Sequence, residues 1–287
     1  MSSVEVSAAP ATSRKGAGHH APSAFGDDLR RFVNLTVMLA TTDFKLRYFG
    51  SALGYLWSLV RPLLFFGVLY VMFTQILHAG RGVPHYAVYL LSSIMLWTFF
   101  AETTGNAVQC LVAREGLLRK IRFPRLAIPL AVSLTALFTL ATNFAAVLIF
   151  ALASGITPRV SWLALPLLVA LLAAFAIGTG MLLSALYVRF RDIQPMWEVI
   201  AQVLFYGSPI IYVAAQYKSL VHVAMCNPIA TILTEMRHVF VDPSAHSAAT
   251  YIGGAPRLLI PLGIIALVFA LGLWFFNREA PRIAERL

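Results

Sequence analysis

The sequence predicts an all-α integral membrane protein. Six membrane-spanning helices are preceded by an amphipathic interface helix, and short re-entrant or extracytoplasmic helices come before the last span. Three observations predict this class. Of 287 residues, 59% are hydrophobic and 12% charged, with a mean hydropathy of +0.78; that leaves too little polar surface for a soluble domain. The apolar residues gather in runs near the roughly 20 residues that a helix needs to cross a bilayer. The cations are strung along the links between those runs, which is the membrane pattern. The net charge of +10 therefore does not point to nucleic acid.

Residues 1–24 are rich in Ser, Ala, Gly and His and hold no apolar run. They are expected to form a disordered cytoplasmic tail without a cleavable signal peptide. His19 and His20 have no nearby ligand partners, so no metal site is expected there.

From Asp27 a helical pattern begins, with Asp27 or Asp28 suited to cap it. Leu29, Phe32, Val33, Leu35, Thr36, Leu39 and Ala40 crowd one side. The run is too short and too polar-faced to span. Residues 25–54 are thus expected to hold an amphipathic helix in the cytoplasmic interface followed by a loop; a helix packed on other protein shares the pattern. Lys45 and Arg47 then sit at the membrane surface, with Tyr48, Tyr55 and Trp57 at headgroup level. Gly50 and Gly54 allow a tight bend or a close helix contact.

The transmembrane domain is placed at residues 55–277. Its spans are about Leu56–Leu77, Tyr86–Val112, Leu126–Ala153, Trp162–Val188, Pro195–Val213 and Leu258–Phe276. The links at 78–85 and 154–161 are short. The stretch 214–257 is long and half-apolar, with Asn227-Pro228 and Asp242-Pro243 around ATILTEMRHVF, and reads as short or re-entrant helices at the outer face. Residues 278–287 are expected as a cytoplasmic tail.

Orientation follows from the loop 113–125, AREGLLRKIRFPR. Its five cations, Arg114, Arg119, Lys120, Arg122 and Arg125, outweigh the one acid, Glu115. A hydrocarbon core does not tolerate such a cluster, and an excess of Lys and Arg marks cytoplasmic loops. With both termini inside, seventeen of the 22 Lys and Arg residues fall on the inner side. Only Arg81, Arg159, Lys218, Arg237 and Arg257 fall outside. Cys110 and Cys226 then lie on opposite sides, and no disulfide joins them.

Several classes of chemistry are missing from the sequence. No Gly-x-x-x-x-Gly-Lys-Ser/Thr loop provides a nucleotide site. No His/Cys cluster has metal spacing. The acids in or beside the spans are Glu102, Asp192 and Glu198. A carboxylate in a membrane helix is costly. Glu102 therefore either lines a passage or joins a polar helix contact with Thr103, Thr104 and Asn106. The many aromatics pack the core and the interface belts or line a wide passage. The candidates for lining are Phe65, Tyr70, Trp97, Phe100, Phe205, Tyr206 and Tyr212, with Glu102. A flat aromatic wall suits the apolar faces of sugar rings.

Five stretches, in order, resemble the membrane subunit of ABC-2 polysaccharide exporters, which move O-antigen, teichoic-acid, capsule or galactan chains. They are KLRYFGSALGYLWSLVRPLL, LWTFFAETTGNAVQCLVAREGLLRKIRFPRLAIPL, YVRFRDI, Tyr206-Gly207-Ser208-Pro209-Ile210-Ile211-Tyr212 and Asn227-Pro228. The resemblance runs from about residue 30 to the C-terminus, and Glu102 departs from the small polar residue expected at its place. It implies a permease, not an enzyme, in a bacterial cytoplasmic membrane. The assembly is a homodimer with two copies of a separate ATPase, which holds ATP and Mg. This chain itself binds no cofactor.

The resemblance also assigns roles. Glu115, Gly116, Leu117, Leu118, Arg119 and Lys120 would form a coupling helix on the ATPase, with the interface helix resting on the same partner. Leu53 and Gly54 would belong to a gate loop at the cytoplasmic leaflet. The implied cargo is a glycan on a polyprenyl diphosphate. Lys45, Arg47 and Arg61 stand where its headgroup would be met, since several long cations suit phosphate; topology and lipid anchoring account for the same cations. Three other readings compete. An ABC-2 lipid or drug exporter shares the architecture. A polyprenyl-phosphate-dependent membrane enzyme needs clustered acids or a metal motif. An ion-coupled carrier needs inverted repeats.

Overall fold

The computed structural model describes residues 29–48, 54–116 (apart from 77, 79 and 81) and 124–286. The described residues are helical or in turns, with no strand. Their α-helices are α1 (Leu29–Tyr48), α2 (Gly54–Val71), α3 (Tyr86–Gln109), α4 (Ala127–Ala153), α5 (Leu165–Arg189), α6 (Ile193–Tyr206), α7 (Val221–Ala224), α8 (Pro228–Met236), α9 (Ala248–Ile252) and α10 (Leu259–Arg286). A π-helical turn, Met72–Ile76, extends α2.

Five helical stretches are long and apolar enough to cross a membrane: Leu59–Ile76, Tyr86–Gln109, Ala127–Ala153, Val160–Arg189 and Ala255–Glu279. The centre is α3, with 78% of its span buried. Leu90, Ile94 and Phe100 along it are wholly enclosed, and it packs on α4 and α5. The last span, α10, crosses α5 at two glycines. A Cβ on Gly178 would stand 2.6 Å from the Phe269 Cα, and one on Gly272 would overlap the Gly178 carbonyl oxygen. Small residues let membrane helices approach this closely and gain dispersion contacts that lipid cannot supply.

The expected interface helix is longer than the sequence suggested, because nothing breaks it before Gly50. Phe32, Thr36 and Ala40, four residues apart, are buried against α4. Thr135 Oγ1 donates to the Ala40 carbonyl at 3.2 Å, and Phe44 meets Phe138 edge-on at 5.8 Å. Leu29, Val33, Val37 and Met38 remain exposed, an apolar surface of the kind an interface helix lays on lipid.

Where a fifth span was expected at Pro195–Val213, α6 has only 14 residues. At 1.5 Å per residue it is about 21 Å long, short of a hydrocarbon core of roughly 30 Å. The chain nonetheless runs antiparallel along α3 from end to end. Gln194 hydrogen-bonds Gln109 at one end of α3. Trp197 and Phe205 meet Phe100 and Trp97 midway. At the other end Tyr86 donates to the Ile211 carbonyl and Tyr89 to that of Pro209. The remaining distance is covered by the turn at Gly207–Val213, not by helix.

Phe32 of α1, Cys110 and Leu111 beyond α3, Leu126 and Phe276 of α10 form one apolar cluster. The start of α1 and the far part of α10 therefore lie at the end of the bundle where α3 delivers the basic loop. At the opposite end α8 is buried, with Ile229, Ile232, Leu233 and Met236 in the main core. Its Asn227 caps Ile229 N–H at 3.0 Å. The residues from 278, expected as a tail, continue α10 to Arg286; around Pro281, which disfavours a helix interior, the segment is rich in the helix formers Ala, Glu and Arg.

Candidate functional site

A cleft of about 420 Å³ opens between α2, α3 and α6. One side is aromatic: Phe65 of α2, Trp97 of α3, and Trp197, Phe205 and Tyr206 of α6. The rings hold one another, with Phe205 5.4 Å from Trp97, 6.1 Å from Phe65 and 5.2 Å from Tyr206 between centroids. Ala101 and Gly105 keep the α3 wall flat. The other side is polar. Glu198 and Gln202 project into the cleft, and with Gln194 they stand at four-residue spacing on one face of α6. Gln194 bridges Glu198 to α3, accepting from Gln109 and donating to Glu198 at 3.2 Å. Aromatic faces beside amide and carboxylate groups can stack on the C–H face of a ring and hydrogen-bond its edge.

The cleft lies beside surfaces that the bundle leaves uncovered. Only 6% of the Leu59–Ile76 span is buried; Leu64, Phe65, Val68 and Val71 are exposed there, as are Met196, Val199, Ile200 and Val203 of α6.

Cations stand at the end of α3 that leads into the basic loop. Arg47, in the last turn of α1, pairs with Glu102 of α3 at 3.5 Å. Asp43, one turn before Arg47, pairs with Arg114 where the basic loop begins. Lys45 and Arg61 are exposed. At the opposite end of α3 Tyr212 donates to the Tyr206 carbonyl at 2.6 Å and Tyr217 to that of Gly207 at 2.8 Å. Burial, with the Tyr212 phenol beside it, pushes the Tyr217 hydroxyl up, so it stays a protonated donor.

Of the residues expected to line a passage, Phe65, Trp97, Phe205 and Tyr206 meet in the cleft. Phe100 does not line it. It is fully buried and stacked on Phe175 at 5.4 Å, behind the Trp97 wall. Tyr70 lies outside the cleft and stacks on Phe66. Tyr212 closes the turn beyond α6. Glu102 is a half-exposed ion-pair partner next to Ala101 on the same helix. Gly54 opens α2, and Glu115 and Gly116 are helical. Leu53, Leu117, Leu118, Arg119 and Lys120 lie outside the described residues. Gln194 and Gln202 were not singled out from sequence, although their spacing with Glu198 inside an apolar helix was the available signal. Among the described residues no cluster of His, Cys, Asp and Glu could hold a metal ion.

Residues 34–241 match the family described as ABC-2 type transporter. An O-antigen export system permease protein RfbA of Klebsiella pneumoniae is 31% identical over 257 residues, covering 88% of this chain and 95% of that one. A protein of the same description from Myxococcus xanthus is 25% identical over 267 residues, covering 91% and 98%.

Proposed function

The chain belongs to the ABC-2 type transporter family, and from that premise we propose that it is the membrane subunit of an ATP-driven polysaccharide exporter. Its cargo is a glycan carried on a polyprenyl diphosphate, moved outward across the cytoplasmic membrane of a bacterium with both chain termini inside. The relatives described as O-antigen export permeases support the cargo class. The observation that carries the reading is the cleft of α2, α3 and α6, whose lining combines Trp97, Trp197 and Phe205 with Glu198 and Gln202 beside a membrane helix. A polymer must slide, so its site needs stacking surface and exchangeable hydrogen bonds in place of an enclosed pocket.

Two copies, apposed across the uncovered faces of α2 and α6, close the cleft into a passage. The chain carries no nucleotide loop, so hydrolysis falls to two copies of a separate ATPase that hold ATP and Mg. That ATPase docks on Glu115–Lys120. The lipid diphosphate enters at Lys45, Arg47 and Arg61, beside the Leu53-Gly54 loop. Closure of the motor tilts the helices through the docking segment.

Reconstitution with the cognate ATPase tests this. Lipid-linked glycan is expected to stimulate ATP hydrolysis. Stimulation by a small amphiphile, with no response to the glycan, overturns the cargo in favour of a lipid or drug exporter.

A further inference from the structure

Among the described residues, Glu198 is the one charged side chain that lines the cleft. Beside it on α6, Met196, Val199, Ile200 and Val203 are exposed and apolar. A carboxylate on such a helix is costly against lipid, so Glu198 faces the water of the cleft. It accepts a hydrogen bond from the Gln194 amide at 3.2 Å. Gln109 donates to the side-chain oxygen of the same Gln194, which aims the amide nitrogen at Glu198. That donor is neutral and leaves the charge uncompensated. Among the described residues no ion pair joins a cation to Glu198. The nearest cations in sequence, Arg189 and Arg191, lie over the rings of Phe190 and Tyr187 at 5.0 Å.

We propose that Glu198 sets the charge of the glycan that the passage accepts: neutral or amino-bearing chains are favoured, and chains with a uronate in each repeat are disfavoured. This rests on the proposed reading of the cleft as a glycan passage. Trp97, Trp197 and Phe205 stack on the C–H faces that neutral and acidic pyranoses share, so the aromatic side does not discriminate by charge. The polar edge does. A carboxylate accepts hydrogen bonds from sugar hydroxyls, and stronger ones from an ammonium. A uronate brings a like charge to it in a site walled by indole and phenyl rings, where screening is weak. The polymer threads unit by unit, so an acidic glycan meets the repulsion at every repeat. The carrier diphosphate is common to acidic and neutral glycans, and its own passage cancels in the comparison. Specificity is a difference of affinities, and here the repulsive element is built into the wall.

The test reconstitutes the transporter with its ATPase and compares two glycans on the same polyprenyl diphosphate: a neutral hexose polymer and one with a uronic acid in each repeat. The readout is the ratio of the concentrations that half-maximally stimulate ATP hydrolysis. The wild type is expected to need about fivefold more of the acidic glycan, the scale of one like charge across a wet passage. Glu198→Gln keeps the shape and the bond from Gln194 and is expected to bring the ratio to unity, while Glu198→Asp retains it. Added salt is expected to narrow the ratio in the wild type and leave it unmoved in Glu198→Gln; a purely structural role predicts neither. The wild-type salt series needs no variant, so misfolding of a variant leaves the proposal open to refutation. A de-N-acetylated polymer, which carries ammonium groups, is expected to act on the wild type at lower concentration than on Glu198→Gln. No response to either glycan overturns the passage and this proposal with it. A response to both at equal concentration, or a ratio that salt does not move, overturns the proposal alone. So does a ratio that survives in Glu198→Gln, which puts the discrimination on another residue.

Discussion

Asp43, one turn before the last turn of α1, pairs with Arg114, the first cation of the basic loop. One turn further along α1, Arg47 reaches Glu102. Two pairs at four-residue spacing along α1 thus tie the interface helix to α3 and to the start of the basic loop. Thr135 and Phe138 hold the same helix against α4.

Breaking that clamp should uncouple motion more than it unfolds the protein. The Asp43–Arg114 pair is only partly enclosed, so a double-mutant cycle of Asp43→Ala and Arg114→Ala should give a coupling free energy of about 1 kcal/mol. Glycan-stimulated ATP hydrolysis by the assembled transporter should fall several-fold in each single variant. A full response in both would remove the clamp from the coupling route.

The polar edge of the cleft is exposed, so its residues can be changed with little cost in stability. Gln202→Ala removes hydrogen bonds worth about 1 kcal/mol, roughly a fivefold loss in apparent affinity for glycan. The concentration of lipid-linked glycan giving half-maximal ATPase stimulation should rise by that factor while the melting temperature stays constant. A shifted melt with unchanged half-maximal concentration would make Gln202 a structural residue.

Much of this architecture can be read from the residues, and the parts that cannot share one cause. The run Leu126–Ala153 is continuous, apolar and bounded by charge or turn residues, so its helix lies where expected. Burial among aromatics cannot be read in that way. Phe100 and Phe205 have the same chemistry and the same helical setting, and only the packing of Phe175 sends one into the core and leaves the other on the cleft. Pairs such as Arg47 with Glu102 join residues far apart in sequence, and no spacing rule connects them. Length misleads at α6, since its pass along α3 is completed by the turn at Gly207–Val213, held by Tyr86 and Tyr89 of another helix.

The crossing of α5 and α10 has no room for a methyl group at Gly272, because the obstacle is backbone, which cannot rotate aside. Gly272→Ala should force the two helices apart and cost about 1–3 kcal/mol, the range for overpacking. Thermal unfolding in detergent measures it. Gly263→Ala, on the same helix with open space around the added carbon, is the matched control and should raise the melting temperature slightly through helix propensity. Equal effects at both positions would mean that helix propensity, not the close crossing, decides the outcome.

Tyr89 is enclosed near the N-terminal end of α3, and its hydroxyl serves the carbonyls of Pro209 and Tyr212, the latter at 3.0 Å. The turn at Gly207–Val213 has no regular ladder of its own, so these bonds hold the end of α6 against α3. Tyr89→Phe keeps the ring and its packing but leaves buried carbonyls without a donor, at a cost of about 1–3 kcal/mol. The loss should be local. Backbone amides of 207–213 should exchange hydrogen faster, while those of α4 and α5 keep their protection. Uniform acceleration across all helices would show that Tyr89 supports the whole bundle and not this turn.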